Sequence, residues 1–483
     1  MGRGELVLGN LVSRPYLSEM RLTPTLCLLL CLPLFGVQPN VVLIMADDMG
    51  WGDLGCYGSK QNSTPHIDRL AREGVKFESF YATQAVCTSS RCALLTGCYP
   101  NRLGLGGTAL PPKSKVGLST DEQSLATLLR NGGYRTGIVG KWHLGDHPKF
   151  LPPAHGFDES LIVPYSNDMW PVGYFVGDQS RKQMYPELRW IVDGIPFGAI
   201  DDWADMDNLT VMQGFRATKF IRDNARAGKP FFLYLATSMP HTPLGASRDF
   251  KGKGPTPYAE TLADLDDVVG YVLSALKTQG VENDTIVIFT SDNGPWLNFG
   301  RHAGVTGGFR EGKGTTWEGG VRVPFIVRWP NMIKRGISTP ALAANIDILP
   351  TLIAACEVTG PVKAIDGQSF LPLLQGERGT AREVFTYYYG DRLEAIRQGR
   401  WKLHLPHGYR SYDDMKPAEH EGEPMKTQLK QTDFALYDLE SDPGERTDVQ
   451  ATHPDVVARL KELAAKERVA LDAGKRPVGR VTN

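Results

Sequence analysis

The chain has little net charge, few cysteines, no internal repeat and, past its first forty residues, no long apolar run. Its 53 Lys and Arg nearly balance its 54 Asp and Glu over 483 residues. A nucleic-acid binder would show a one-signed basic field, and none is present. Without a repeat or a low-complexity tract, solenoid and disordered architectures are set aside, and the length suits a large core and two domains. Of seven cysteines, Cys27 and Cys31 lie in the N-terminal apolar stretch. The other five (Cys56, Cys87, Cys92, Cys98, Cys356) have no regular spacing and form no disulfide framework. With Cys87 chemically consumed, four would remain, in a pairing the spacing leaves open. The one apolar run is Thr25–Val37 (TLCLLLCLPLFGV), behind Arg3, Arg14 and Arg21. It is short for a bilayer span and reads as an export signal over residues 1–38, with an uncleaved anchor as the alternative. The expected location is therefore periplasmic, secreted or lysosomal according to host. Asn62, Asn208 and Asn283 sit in glycosylation sequons.

What is present is a series of short apolar runs: Val41–Met45, Thr136–Val139, Phe231–Ala236, Ile286–Phe289 and Pro324–Trp329. Helical patterns lie between them. Thr64-Pro65 opens a helix carrying Ile67, Leu70 and Ala71. Ser119-x-x-Glu122 reads as a capping box before Leu125, Leu128 and Leu129, and Tyr258–Leu276 is apolar at helical spacing. Strands alternating with helices predict an α/β fold, a mostly parallel sheet covered on both faces. Residues 150–210 are aromatic, weakly periodic and read as loops. From about residue 380, Val384–Tyr389, Glu394–Arg397, Trp401–Leu405 and Leu436–Leu439 suggest a small antiparallel sheet, closed by an amphipathic helix at Val456–Ala470. The expected domains are 39–380 and 381–483.

Polar residues recur just past the ends of these strands: Asp47 and Asp48, Lys141 and His143, His241, Asp292 and Asn293. Ligand sites of open α/β sheets lie at that carboxyl edge, so these groups are expected to converge. Asp47, Asp48, Asp292 and Asn293 offer only oxygen ligands, which suit Ca²⁺ or Mg²⁺ rather than zinc. Side chains of adjacent strand residues point opposite ways, so Asp47 and Asp48 must both lie in the turn beyond the strand to reach one ion. Three carboxylates, one divalent cation, Arg91, Lys141 and Lys313 sum to a positive pocket, fit for a singly charged ester.

Cys87-Thr88-Ser89-Ser90-Arg91, followed by Leu95-Thr96-Gly97, reads as a loop turning into a helix, capped by Ser89 or Ser90. The run resembles the modification signature of the type I sulfatases, Cys-x-Pro-Ser-Arg with x-x-x-Leu-Thr-Gly; Ser89 stands where that family usually has proline. Gly140-Lys141-Trp142-His143-Leu144-Gly145, Gly312-Lys313-Gly314-Thr315-Thr316 and Leu436-Tyr437-Asp438-Leu439 with Asp442-Pro443-Gly444-Glu445 extend the likeness to the arylsulfatase A and N-acetylgalactosamine-6-sulfatase branch.

The resemblance implies an alkaline-phosphatase-like fold and hydrolysis of aryl or carbohydrate sulfate monoesters. It implies oxidation of Cys87 to formylglycine by a formylglycine-generating enzyme, and Ca²⁺ (occasionally Mg²⁺) held by Asp47, Asp48, Asp292 and Asn293 together with the converted Cys87. One hydroxyl of the hydrated aldehyde attacks sulfur; the other, once deprotonated, expels sulfate. Arg91 and Lys141 then hold the diol and His143 accepts its proton. His241 and Lys313 contact the sulfate and assist the leaving alcohol, with Ser166 as a further sulfate contact. Two other readings stand beside this one: a phosphate-ester hydrolase of the same superfamily, and a catalytically silent binder of sulfated glycans. Trp170, Tyr174, Trp190 and Trp203 either stack on a substrate ring or pack in the core. The sequence leaves the oligomeric state open.

Overall fold

A computed structural model describes residues 38–107 and 109–481; the expected signal segment, with Cys27 and Cys31, lies outside the described residues. The central sheet has ten strands. In chain order they are β1 (Asn40–Ala46), β2 (Val75–Tyr81), β3 (Arg135–Lys141), β4 (Glu159–Val163), β5 (Arg189–Val192), β6 (Ile195–Ala199), β7 (Phe231–Ala236), β8 (Thr285–Ser291), β9 (Phe325–Arg328) and β10 (Ile337–Ala344). Their spatial order is β10-β2-β9-β8-β1-β7-β3-β4-β5-β6. β8, β1, β7, β3 and β4 run parallel, while β9, β5 and β6 are antiparallel to their neighbours. The four strands that end in polar residues are thus adjacent, and their carboxyl ends share one edge.

β1 shows why its apolar run is continuous. Val41, Leu43 and Met45 enter one core, while Val42, Ile44 and Ala46 enter the other. The first core is covered by α2 (Cys87–Thr96), α3 (Leu125–Asn131) and α6 (Ile348–Ala355). The second is covered by α1 (Pro65–Arg72), α4 (Leu209–Arg226) and α5 (Pro257–Thr278). Val41–Ala46 of the central strand are all essentially inaccessible.

Three local expectations differ from the structure. Ser119-x-x-Glu122 does not cap α3. Ser124 does, accepting from Thr127 N at 3.0 Å, while Glu122 pairs with Arg476 at 2.9 Å. Ser89 and Ser90 do not cap α2, which begins at Cys87 itself behind Val86. Residues 150–210 contain β4, β5 and β6, and α4 follows them. The α4 face is hard to read because it mixes Ala217, Phe220 and Ile221 with buried Gln213 and Gly214; a Cβ at 214 would come 2.8 Å from Val268.

Past residue 380, β11 (Val384–Tyr389), β12 (Arg392–Gln398), β13 (Trp401–His404) and β16 (Ala435–Asp438) form a four-stranded antiparallel sheet. β14 (His407–Ser411) and β15 (Gln428–Thr432) form a hairpin. α7 (Pro454–Ala473) lays Val456, Leu460, Ala464 and Leu471 on the small sheet. Arg382, just before β11, is joined bidentately to Asp347 at 2.9 and 2.5 Å, and the pair is sealed from solvent. Asp347 also accepts from the backbone of Ala344 and Gln368. Removing one partner of a buried, hydrogen-bonded ion pair leaves an uncompensated charge. Asp347→Ala is therefore expected to cost about 3–5 kcal/mol in urea unfolding, and a loss under about 1 kcal/mol would show the pair to be dispensable.

Candidate active site

The site is assembled from the carboxyl edge of β8, β1, β7 and β3 together with the start of α2. Asp47 and Asp48 follow β1, and Asp48 takes φ 63°; His143, beyond β3, takes φ 59°. Left-handed backbone at non-glycine residues is strained and persists where surroundings over-determine it. Gly140 permits the β3–β7 approach, since a Cβ there would stand 1.9 Å from Ala236 O at φ 112°. Cys87 is the first residue of α2, at the positive end of the helix.

Three carboxylates and three cations interlock there with almost no solvent contact. Lys141 Nζ meets Asp47 Oδ2 at 2.5 Å, Lys313 Nζ meets Asp48 Oδ2 at 2.8 Å, and Arg91 donates to Asp292 Oδ2 at 2.9 and 3.2 Å. Arg91 also donates to Lys141 O at 2.9 Å and lies 3.4 Å from Asp47. Asn293 Nδ2 donates to Asp48 Oδ1 at 2.7 Å. Burial and the neighbouring Asp47 charge push the Asp292 carboxyl above its usual range. At Asp47 burial acts the same way, but Lys141 and Arg91 outweigh it and hold that carboxyl well below the usual range. Burial also raises the Cys87 thiol, against the pull of Lys141 and Lys313.

The donor set fits a hard divalent cation. Ligand atoms of Asp47, Cys87 and Asp292 lie within 4.8 Å of one another. Asp47 Oδ1 and Asn293 Oδ1 are buried without a hydrogen-bond partner among the described residues. A cation touching them would satisfy both oxygens and relieve the repulsion felt by Asp292.

Two histidines complete the centre. His143 Nε2 lies 3.1 Å from Leu110 O and donates to it, which leaves a buried Nδ1 lone pair without a partner. Burial, then Lys141 and Arg91, hold that imidazole neutral, well below its ordinary pKa. His241 Nδ1 donates to Thr242 O at 2.6 Å, so its Nε2 accepts from Lys313 Nζ at 2.9 Å. Burial, followed by Lys313, lowers its pKa to about 4. Ser166 Oγ accepts from Lys141 at 3.0 Å, with His241 Nε2 3.4 Å away. Every residue the sequence singled out for the site is in this cluster.

Sequence reasoning overlooked several supports. The α2 hydroxyls are ties: Thr88 donates to His143 O, Ser89 donates to Leu105 O and accepts from Gly107 N, and Ser90 accepts from Asn345. Trp296, three residues past Asn293, lies under Lys313 with its ring centre 4.3 Å from Nζ. The Lys313 loop is clamped from the C-terminal region. Tyr412 donates to Lys313 O at 2.5 Å, and buried Lys402 binds Glu318 at 3.0 Å and Glu445 at 2.8 Å. Glu445 also accepts from Glu318 N and stands 2.9 Å from His404 Nε2. The candidate stacking aromatics go another way: Trp170 and Trp203 pack edge to face in a satellite core, Trp190 lies against it, and Tyr174 stacks under Arg181. The Asn62 amide is buried against Asp53 O, and the five described cysteines are free thiols.

The family model described as Sulfatase matches residues 39–358, and one for the C-terminal region of aryl-sulfatase matches residues 380–483. Arylsulfatase A of Bos taurus is 37% identical, covering 88% of this chain and 87% of its own. An N-acetylgalactosamine-6-O-sulfatase of Bacteroides thetaiotaomicron is 35% identical, with 88% and 92% covered. Among solved structures, the PsFucS1 sulfatase from Pseudoalteromonas sp. superposes with a TM-score of 0.81 at 29% identity over 92% of each chain.

Chelator-treated protein is expected to gain thermal stability when Ca²⁺ is returned, by about 2.7 kcal/mol at a hundredfold excess over Kd. Asp292→Asn should lose most of that gain in differential scanning fluorimetry. An equal gain in both proteins would place the cation elsewhere.

Proposed function

The chain belongs to the sulfatase family and hydrolyses sulfate esters, and we propose on that premise that residue 87 works as a formylglycine beside a Ca²⁺ ion. The observation that carries the reading is the position of the Cys87 sulfur, within 4.8 Å of the Asp47 and Asp292 carboxylates at the head of α2. As a plain buried thiol with a raised pKa, Cys87 is a poor nucleophile. Converted and hydrated, residue 87 supplies one hydroxyl for attack on sulfur and a second whose deprotonation releases sulfate. Asp47, Asp48, Asp292 and Asn293 would hold the cation, which supplies Lewis acidity toward a sulfate oxygen.

The chain's other residues divide the remaining work. Arg91 and Lys141 flank residue 87 and fix its oxygens. His143, neutral with Nδ1 free, is the base that takes the diol proton. Lys313 holds a proton next to the unprotonated Nε2 of His241, so the resting donor toward the leaving alcohol is the lysine, with the histidine as its relay. Ser166 steadies Lys141 and presents a hydroxyl to the ester. The three carboxylates and three cationic side chains cancel, so a divalent cation leaves the pocket positive by two charges. One singly charged sulfate leaves that pocket still positive, which favours retention of the ester during attack. The alcohol is an aryl or carbohydrate group, in keeping with the relatives' names. Export through residues 1–38 and a division near residue 380 belong to the same reading.

Peptide mass spectrometry across residue 87 is expected to find aldehyde in place of thiol in active protein. Cys87→Ala should lower kcat/KM on an aryl sulfate by roughly a thousandfold or more. Full activity without the modification, or faster turnover of the matched aryl phosphate, would overturn the assignment.

A further inference from the structure

The cavity above Cys87 continues beyond the reacting centre. A space of about 190 Å³ holds Cys87, His241 and Lys313 in its wall, and a second of about 150 Å³ runs along the β14–β15 hairpin. Gly314, Tyr389 and Arg410 belong to the walls of both. They form the passage between the two. A Cβ at Gly314, where φ is 82°, would stand 3.5 Å from Arg410 Nη1 and 3.9 Å from the Tyr389 hydroxyl, so both donors converge on the backbone next to Lys313.

Arg410 lacks the kind of partner that several other part-buried arginines have. Arg102 pairs with Asp366 at 2.6 Å, Arg328 with Glu73 at 2.8 Å, and Arg310 lies 3.6 Å over the Trp317 ring. Among the described residues, Arg410 has neither a carboxylate within 4.0 Å nor an aromatic face beneath it; the Tyr412 phenol is beside it. Asp168 lines the first space but not the second. The carboxylate of the second, Glu394, is already bound by Arg392 and Thr316. The second space therefore carries a guanidinium that has the Tyr412 phenol beside it but no carboxylate partner among the described residues, a form that binds carboxylates and sulfates through paired N–H groups.

Resting on the sulfatase reading above, we infer that the leaving alcohol carries a second anionic group, a carboxylate or another sulfate ester, received by Arg410 and Tyr389. The substrate class is then an acidic sulfated saccharide of two or more units. The first space takes the sugar that bears the scissile sulfate and the second takes its charged neighbour. Arg410 is a specificity-determining residue, supplied by the β14–β15 hairpin.

The test is steady-state kinetics on protein whose residue 87 is shown to be converted. Positional isomers of a monosulfated disaccharide with a neighbouring hexuronate are screened for turnover. The best is compared with its carboxyl-reduced counterpart, with a version sulfated on the neighbouring sugar, and with p-nitrophenyl sulfate. Wild-type protein is expected to favour at least one doubly anionic disaccharide over the neutral-neighbour form by about ten- to a hundredfold in kcat/KM; the one favoured identifies carboxylate or sulfate as the group received. Arg410→Ala and Arg410→Gln should erase that preference, and Arg410→Lys should keep part of it. Since the wild-type preference is itself a readout, it does not depend on how the variants fold. Equal wild-type turnover of charged and neutral neighbours, no turnover of any disaccharide, or a variant that loses all substrates in the same proportion overturns the inference while leaving the sulfatase reading intact. Failure of the wild type even on p-nitrophenyl sulfate overturns both.

Discussion

Six ionised side chains share one dry compartment at the edge of the central sheet, and the rest of the site depends on their mutual neutralisation. Lys141 and Arg91 keep the Asp47 carboxyl ionised against the burial that would raise it, and each buried cation in turn has a carboxylate partner. A buried ion pair contributes little net stability, because desolvation offsets most of the Coulomb gain. What the arrangement supplies is position. Each lysine is held by a carboxylate of the same cluster, so Cys87, the carboxylates and the basic side chains around them are fixed by one set of bonds. The left-handed backbone at Asp48 and His143 fits this view: the packed strands and the buried charges hold conformations the local chain would otherwise avoid.

Two further structures keep that cluster in register. α2 is buried along its whole length and uses Thr88, Ser89 and Ser90 to tie down three separate loops. The C-terminal region holds the Lys313 loop through Tyr412, just past β14, and through the Lys402–Glu318–Glu445 network of the small sheet. The Asp-Pro-Gly-Glu turn thereby acquires a physical role, since its Glu445 is fully buried and receives a backbone N–H, a lysine and a histidine contact. His404 serves the same network through Glu445, while His407 is a structural residue whose Nδ1 donates to Leu405 O.

Much of this was legible one residue at a time. Runs such as Val41–Met45 and Phe231–Ala236 announce doubly buried strands, because a strand covered on both faces has no polar side to interrupt the pattern. Asp47, Lys141, His241 and Asp292 could be located because each stands immediately after such a run. The region 150–210 was misread because β5 and the edge strand β6 are short, with much of their surface exposed, so alternation and burial signals are weak. The cap of α3 was misplaced by five residues, because Ser119 and Ser124 are equally good N-caps in isolation. Only the packing around His155 O, which accepts from Ser124 Oγ, selects between them.

By itself the sequence determined the strand cores, the residues at their tips and the oxygen-rich character of the acidic cluster, since these follow from local periodicity and side-chain chemistry. Tertiary structure alone decided which tips meet, which aromatics become core and which charges pair. Those outcomes depend on residues far apart in the chain coming together: Arg91 with Asp292, Asp48 with Lys313, and Arg410 beside Gly314. Spacing along a chain carries no information about such distances until the β8-β1-β7-β3 order has been set.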